Sequence, residues 1–181
     1  MTARAYLDHA ATTAMLPAAQ DAWVQASQQV GNPSSLHASG RRARRVVEEA
    51  RESIAAALGV RPSAVVFTGS GTEADNLAVK GLYWAATGAR GARRVVVLSV
   101  EHHAVLDPAR WLAEHEGADL VVLGVDADGR VDPRDVAAAL DAAPTAVCSV
   151  MWANNEIGTV QPVHEIARVC QAAGVRFHAD A

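Results

Sequence analysis

Apolar residues recur along this chain in two patterns, one typical of helices and the other of short buried strands. A spacing of three and four residues predicts helices from about Pro17 to Val30 and from Ser39 to Leu58, the second ending at Gly59. Short apolar runs then alternate with further helical patterns. The runs predict strands at residues 64–68, 94–100, 119–124, 146–151 and 175–178. The patterns between them predict helices at residues 72–86, 104–115, 132–142 and 163–173.

Strands that alternate with helices favour an α/β fold, in which a mostly parallel sheet is flanked by helices on both faces. Ligands of such sheets bind beyond the carboxyl ends of the strands. The distinctive small and polar residues of the chain follow the predicted strands: Gly71, Thr72, Glu101, His102, Asn154, Asn155 and Asp180. A binding site is therefore expected at that edge of the sheet.

The composition narrows the class of protein. Of the 181 residues, 50% are hydrophobic and 20% are charged, which predicts a single globular domain with one sizeable core. A net charge of −4 gives no electrostatic reason to expect nucleic acid as a partner. No apolar run approaches the roughly 20 residues of a membrane span, and the first residues show no secretory signal. A soluble, cytoplasmic protein is expected.

The segment Thr68–Asn76 carries the most distinctive local chemistry. Its glycines allow backbone N–H groups to approach an anion closely, Thr72 adds a hydroxyl, and the following helix directs its positive dipole end at the charge. A phosphate-bearing ligand is the expected partner. Two alternatives stay open: a dinucleotide fingerprint that begins at Gly69 and uses Glu101 as a ribose ligand, and a purely structural turn.

The other candidate residues have both a structural and a chemical interpretation. His102 is suited to lie against an aromatic ligand or to move protons near neutral pH. A metal site is disfavoured because adjacent strand-end side chains point to opposite faces, which separates His102 from His103. Asn154 and Asn155 form either an Asx-type turn or a hydrogen bond to a ligand. Asp180 is either an ordinary cap or the partner of a protonated ring nitrogen.

Two features that suggest chemistry also have a simpler interpretation. Cys148 and Cys170 lie in apolar contexts without metal or redox spacing, so both are predicted to be core residues in a reducing compartment. The basic run Arg41–Arg45 is followed by glutamates at helical spacing, so it is predicted to be a solvated helix face rather than a nucleic-acid patch.

Taken together and in order, these motifs resemble those of the cysteine desulfurases, members of the class V aminotransferase superfamily of pyridoxal-phosphate enzymes with fold type I. The resemblance spans nearly the whole chain. It is carried by these segments: Tyr6–Thr13, Gly31–Ser35, Thr72–Asn76, Glu101–His102, Asn154–Gly158 and His178–Ala181. It implies that residues 1–15 belong to the small domain of the family fold and residues 16–181 to a truncated, cofactor-binding large domain.

The resemblance implies pyridoxal 5'-phosphate as the cofactor, no metal, and roles for particular residues. Gly71 and Thr72 would bind the phosphate group. His102 would stack on the pyridine ring and act as the catalytic residue that moves protons. Asn155 would bond near the phenolic oxygen, and Asp180 would pair with the ring nitrogen and keep it protonated.

The implied reaction converts L-cysteine to L-alanine and passes the sulfur to an enzyme cysteine as a persulfide. In the family, the lysine that forms the Schiff base with the cofactor and the persulfide cysteine lie downstream of the aspartate, and neither segment is found here. The only lysine, Lys80, follows Thr72 by eight residues, or roughly 12 Å along a helix. We therefore expect an N-terminal fragment of a desulfurase that is inactive by itself.

The same resemblance implies a homodimer, a sulfur-acceptor protein as a possible partner, and a place in iron-sulfur cluster assembly. Three other functions stay open at this point. The chain is alternatively a non-catalytic or split module that binds pyridoxal phosphate, a related carbon-sulfur lyase such as a selenocysteine lyase, or a dinucleotide-binding domain.

Overall fold

The computed structural model describes residues 5–181 and divides the chain into two compact units, the first ending at Phe67 and the second spanning Thr68–Ala181. The first unit contains helix α1 (Pro17–Ser27), helix α2 (Ala38–Leu58) and a short 3₁₀ helix (Pro62–Ala64). Helix α2 ends at Gly59, whose φ of 67° is readily adopted by glycine, as the sequence predicts.

The strand predicted at residues 64–68 is wrong. Residues 62–64 form the 3₁₀ helix, and Val65 is extended with φ −92° and ψ 123° but belongs to no strand of the described sheet. The side chains of Val66 and Phe67 are 66% and 46% exposed. An apolar run predicts an extended backbone, but a strand also needs a neighbouring strand to pair with.

The second unit is a four-stranded parallel sheet with helices on both faces, which confirms the predicted fold class. Its elements in chain order are α3 (Gly71–Arg90), β1 (Arg94–Leu98), α4 (His103–Glu116), β2 (Asp119–Leu123), α5 (Pro133–Ala142), β3 (Thr145–Ser149), α6 (Val163–Ala172) and β4 (Arg176–His178). The strand order is β2-β1-β3-β4. The chain adds β2 on one side of β1 and then crosses over to add β3 on the other side. The point where the strand order reverses therefore lies between the neighbouring strands β1 and β3.

Alternating residues of β1 supply two apolar cores, one on each face of the sheet. Val95 and Val97 pack with Tyr83 in the cluster that includes residues of α3 and α4. Val96 and Leu98 face the other way, into the cluster that includes residues of α5 and α6. The central strands are thus buried on both faces, which explains their continuous apolar runs. No helix within residues 5–181 is both long enough and apolar enough to cross a membrane.

Candidate functional site

The carboxyl ends of β1, β3 and β4 meet where the strand order reverses, the place where open parallel sheets bind ligands. Polar side chains are buried at or beside these ends although the surrounding core is apolar. They are Asp75, Glu101, Ser149 and Asn154, with His178 and Asp180 partly buried. Burying so many polar groups is costly unless each is hydrogen-bonded, so their bonding partners define the site.

The start of α3 keeps two backbone donors available. Ser70 caps the helix by accepting a hydrogen bond from the N–H of Glu73 at 3.2 Å, and Glu73 Oε2 accepts one from the N–H of Gly69 at 2.7 Å. Within residues 5–181, the N–H groups of Gly71 and Thr72 have no hydrogen-bond partner. A Cβ atom on Gly71 would meet nothing within 4 Å. This helix start is open and suited to an anion.

A group of close polar contacts, one of them a hydrogen bond, joins α3 to β3 and β4. His178 Nδ1 lies 2.8 Å from Ser149 Oγ, and His178 Nε2 lies 3.4 Å from Asp75 Oδ1. Asp75 lies just after the first turn of α3, three residues after Thr72, and His178 precedes Asp180 by two residues. The structure therefore brings the glycine-containing helix start and the end of β4 to the same edge of the sheet.

Burial shifts the pKa values of Asp75 and His178. Desolvation, with the nearby charge of Asp180, raises the pKa of Asp75. Desolvation lowers the pKa of His178 below its ordinary 6.5, against the opposing influence of Asp75 and Asp180. The fold therefore favours a neutral imidazole. The contribution of His178 to the free energy of unfolding is present above about pH 6.5 and is lost as the pH falls toward the lowered pKa.

Glu101 is the most deeply buried acid of the site, with 5% of its surface exposed. Its Oε1 accepts a hydrogen bond from the backbone N–H of Met151 at 2.7 Å, which ties the end of β1 to the end of β3. Its Oε2 is buried without a partner within residues 5–181. Desolvation is the main cause that raises the pKa of Glu101 to about 8, which favours the protonated, neutral form at pH 7.

His102 forms the N-cap of α4 and is exposed. Its Nδ1 accepts a hydrogen bond from the N–H of Ala104 at 3.1 Å, so the ring proton is on Nε2, the atom that faces away from the cap. The ring of His103 is 6.5 Å away and inclined by 77°, and His103 pairs instead with Asp107 at 3.5 Å on the exposed helix surface. The two histidines therefore have different polar partners.

The two adjacent asparagines have different roles. Asn154 is buried, and its amide nitrogen donates to the carbonyl of Val100 at 2.9 Å. Its Oδ1 accepts hydrogen bonds from the N–H groups of Glu156 and Ile157 at 2.8 and 2.9 Å. Asn154 thus forms the Asx-type turn, and the exposed side chain of Asn155 is the amide that remains accessible to a ligand.

The cysteines and the lysine lie where the sequence predicts. Cys148 and Cys170 are both fully buried in the core, and the interaction with Cys170, together with burial, raises the pKa of the Cys148 thiol. Neither is placed as a nucleophile. The ammonium group of Lys80 lies 4.1 Å from the centre of the Trp111 ring, a cation–π contact on the surface of α3 and α4.

Sequence reasoning missed the roles of Asp75, His178 and Ser149. Asp75 and His178 were within recognised segments, but no role followed from their positions. The sequence does carry a signal, since His178 ends a predicted strand two residues before Asp180 and Asp75 lies one helical turn after Thr72. The dinucleotide alternative would use Glu101 as a ribose ligand, whereas the structure buries its carboxyl group against the backbone of Met151.

Comparison with known proteins identifies related sequences along the whole of this site. The Aminotransferase class-V family matches residues 5–181. An IscS-like cysteine desulfurase from Mycobacterium tuberculosis is 55% identical over 98% of this chain and 46% of its own length. A cysteine desulfurase IscS from Dictyoglomus turgidum is 41% identical over 100% of this chain and 45% of its own. The chain spans about half the length of the curated relatives it matches.

Solved structures share the fold over a similar extent. A NifS-like protein superposes with a TM-score of 0.89 at 32% identity, covering 99% of this chain and 49% of the other. SspA in complex with cysteine superposes with a TM-score of 0.87 at 32% identity, covering 97% of this chain and 50% of the other. With the family match covering nearly every residue, this chain belongs to the aminotransferase class-V family.

Proposed function

We propose that this chain forms the cofactor-binding part of a pyridoxal-phosphate-dependent cysteine desulfurase, an enzyme that converts L-cysteine to L-alanine and transfers the sulfur as a persulfide. One structural observation supports this most strongly. The contact of 3.4 Å between Asp75 and His178 joins the start of α3 to the end of β4. An anion-binding helix start and a carboxylate, Asp180, therefore occupy one edge of the sheet.

The residues of this edge fit the cofactor's chemical groups. The unpartnered N–H groups of Gly71 and Thr72, with the open space beside Gly71, suit a phosphate. The partly buried carboxylate of Asp180 suits a protonated ring nitrogen, because a charge-assisted hydrogen bond is strongest where water is scarce. The exposed ring of His102 is available for stacking, and the exposed amide of Asn155 is available to the phenolic oxygen.

The bound cofactor supplies a ring that accepts electrons from the α-carbon of the substrate. The chain's own residues support that chemistry. Asp180 holds a proton at the ring nitrogen, which keeps the ring electron-poor. His102 moves a proton through Nε2, because Nδ1 is engaged by the N–H of Ala104. Glu101, neutral at pH 7, adds no negative charge to that of Asp180.

The substrate and partners follow from the relatives. Several relatives are named cysteine desulfurases, and SspA was solved in complex with cysteine, which supports L-cysteine as substrate. We further propose a homodimer, a protein that accepts the sulfur, and a cytoplasmic setting for this enzyme. The alternative of a related lyase that prefers selenocysteine is tested by competition between the two amino acids for the site.

The 181-residue chain by itself is expected to bind the cofactor without desulfurating cysteine. Lys80 is its only lysine and is held against Trp111, and both cysteines are buried. This observation favours a second candidate for the isolated chain, a cofactor-binding module that is completed by another polypeptide segment. Robust sulfide release, with a reduced cofactor adduct on Lys80 after borohydride treatment, would contradict it.

The binding of pyridoxal phosphate can be tested by titration followed by the absorbance of the cofactor. Asp180→Asn removes the carboxylate charge and is expected to weaken binding about tenfold, because hydrogen bonds to charged groups contribute about 1.5 to 3 kcal/mol. The matched control is Asp119→Asn, an exposed carboxylate at the opposite end of the sheet. Equal affinities of the two variants and the parent chain would contradict the assignment of Asp180.

A further inference from the structure

We propose that His178 is a positioning residue whose side chain ties the start of α3 to the end of β4 and thereby sets the spacing between the two anchoring points of the cofactor. This role deepens the proposed function and rests on it. His178 is not expected to touch the cofactor or the substrate. It acts through Asp75 on one side and through its own strand on the other.

The tie is the contact between the side chains of Asp75 and His178. His178 Nε2 is 3.4 Å from Asp75 Oδ1, and the two side chains are 13% and 8% exposed. Thr72 and Asp75 are three residues apart on one helix, so a displacement of Asp75 displaces the phosphate-facing turn. His178 and Asp180 are two residues apart on an extended segment, so their side chains share one face.

Backbone hydrogen bonds secure the strand side of the tie. The N–H of Val150 donates to the carbonyl of His178 at 3.0 Å, and the N–H of Trp152 donates to the carbonyl of Asp180 at 2.8 Å. The strand bearing Asp180 is thus attached to β3 independently of any side chain. Within the described part of the chain, helix α3 is not attached to the sheet by backbone hydrogen bonds, because a helix pairs its backbone N–H and C=O groups within itself. The position of the helix start relative to Asp180 therefore depends on side chains such as the Asp75–His178 pair.

Ser149 selects the tautomer that the tie needs. If the Ser149 hydroxyl donates to Nδ1 at 2.8 Å, the ring proton is on Nε2, the atom that lies 3.4 Å from Asp75 Oδ1. Burial lowers the pKa of His178, so the neutral ring is favoured. The titratable groups that act on this cluster come from four elements: Asp75 of α3, Glu101 after β1, His102 at the start of α4 and Asp180 after β4.

A hydrolytic Ser–His–Asp triad is an alternative interpretation of Ser149, His178 and Asp75. The structure argues against it, because Ser149 is 0% exposed and belongs to a central strand. A nucleophile must reach the substrate, and this hydroxyl is covered on both faces of the sheet. The same chain is well placed to hold two elements together.

The test compares a ligand that needs both anchoring points with a ligand that needs one. The full 181-residue chain and its variants His178→Ala and Asp75→Ala are titrated with pyridoxal phosphate and, separately, with inorganic phosphate. Both variants are expected to bind pyridoxal phosphate about tenfold more weakly, because loss of the Asp75–His178 contact lets the helix start shift relative to Asp180. Binding of inorganic phosphate is expected to be unchanged. The double variant should bind no more weakly than either single variant, because the two residues form one contact.

Two further variants keep the result interpretable if alanine at these buried positions impairs folding. Asp75→Asn retains an oxygen acceptor for Nε2–H and is expected to recover most of the affinity for pyridoxal phosphate. Ser149→Ala removes only the hydroxyl, and nitrogen NMR of His178 is expected to show a mixture of tautomers instead of Nε2–H alone. His115→Gln, at an exposed histidine on α4, is the control and should match the parent chain.

The outcomes separate this role from the proposed function. A parent chain that does not bind pyridoxal phosphate contradicts the proposed function and removes the role with it. A parent chain that binds while both alanine variants bind equally well overturns only the role of His178. A parallel loss of affinity for inorganic phosphate overturns it too, since that result indicates general damage to the helix start instead of altered spacing.

Discussion

The two ends of the parallel sheet handle polar groups in opposite ways. At the amino end, Arg94 pairs with Asp119 at 2.7 Å and donates to the carbonyl of Ala139, and the Asp119 side chain is 52% exposed. At the carboxyl end, Glu101 is buried with one oxygen unpartnered in the described part of the chain, and the buried Asp75 and the partly buried His178 have shifted pKa values. The amino end lets water solvate its charge, whereas the carboxyl end shields Glu101 and Asp75 from water.

This difference indicates where buried polar groups lower the stability of the fold. A buried carboxyl group with an unpartnered oxygen costs free energy that an apolar side chain would not. Strongly perturbed acids are concentrated at functional sites, because a dry setting strengthens the few charges that remain. The carboxyl end of the sheet therefore has the properties of a binding site, and the amino end has those of an ordinary protein surface.

The largest expected effect is the dependence of the free energy of unfolding on pH that Glu101 causes. Its folded-state pKa is raised from 4.5 to about 8, so the folded chain binds more protons than the unfolded chain between these values. The contribution of Glu101 to the free energy of unfolding should therefore fall as the pH rises from 4.5 to about 8, by at most about 1.4 kcal/mol per pH unit. Glu101→Gln should abolish this slope.

Urea unfolding of the parent chain and Glu101→Gln at pH 5, 7 and 9 measures the slope. The exposed Glu114 on α4 offers a matched control, since Glu114→Gln also removes one carboxylate but should leave the pH profile as it is in the parent chain. Superimposable profiles for the parent chain and Glu101→Gln would show that the carboxyl group is solvated, and the contrast between the two ends of the sheet would fail.

A smaller effect separates the two neighbouring asparagines of the carboxyl end. Asn154→Ala removes the buried bonds to Val100, Glu156 and Ile157 and should lower the free energy of unfolding by about 2 to 3 kcal/mol. Asn155→Ala, at an exposed position, should change it by less than about 0.5 kcal/mol. Affinity for pyridoxal phosphate should fall in the second variant even though its stability is retained. If Asn155→Ala binds as well as the parent chain, Asn155 has no part in the site.

The smallest expected effect is at the amino end. Asp119→Asn weakens an ion pair whose carboxylate is half exposed, so the free energy of unfolding should fall by about 0.5 kcal/mol or less. Because solvent ions screen such a pair, the difference should shrink further in 1 M salt. A loss above about 2 kcal/mol would mean that this end is as dry as the other.

Much of the local structure was predictable from sequence patterns. The helix boundaries at Gly59 and Gly117 follow from glycine's access to positive φ, and both residues are at φ near 66°. The apolar run Val95–Leu98 predicts a buried strand because it is apolar at successive positions, and all four residues are fully buried. The run that precedes Thr68 has the same appearance but forms no strand, since pairing depends on residues distant in the sequence.

The candidate site was predictable only as a set of separate residues. Their positions after predicted strands indicate one edge of a sheet, and Gly71, Thr72, His102, Asn155 and Asp180 are proposed on that basis and on family resemblance. The division of labour between Asn154 and Asn155 was not predictable, because adjacent identical residues differ only in what surrounds them. Buried bonds define Asn154, and their absence leaves Asn155 accessible.

The sequence by itself determined the alternation of helices and strands, the glycine-containing helix start and the family to which the chain belongs. Those properties depend on residue spacing, turn chemistry and composition, which are local. The tertiary structure alone decided that Asp75 meets His178 and that Glu101 meets Met151. Such contacts join residues about 50 to 100 positions apart in the sequence. They depend on the order in which the strands assemble, and the burial that raises or lowers each pKa exists only after assembly.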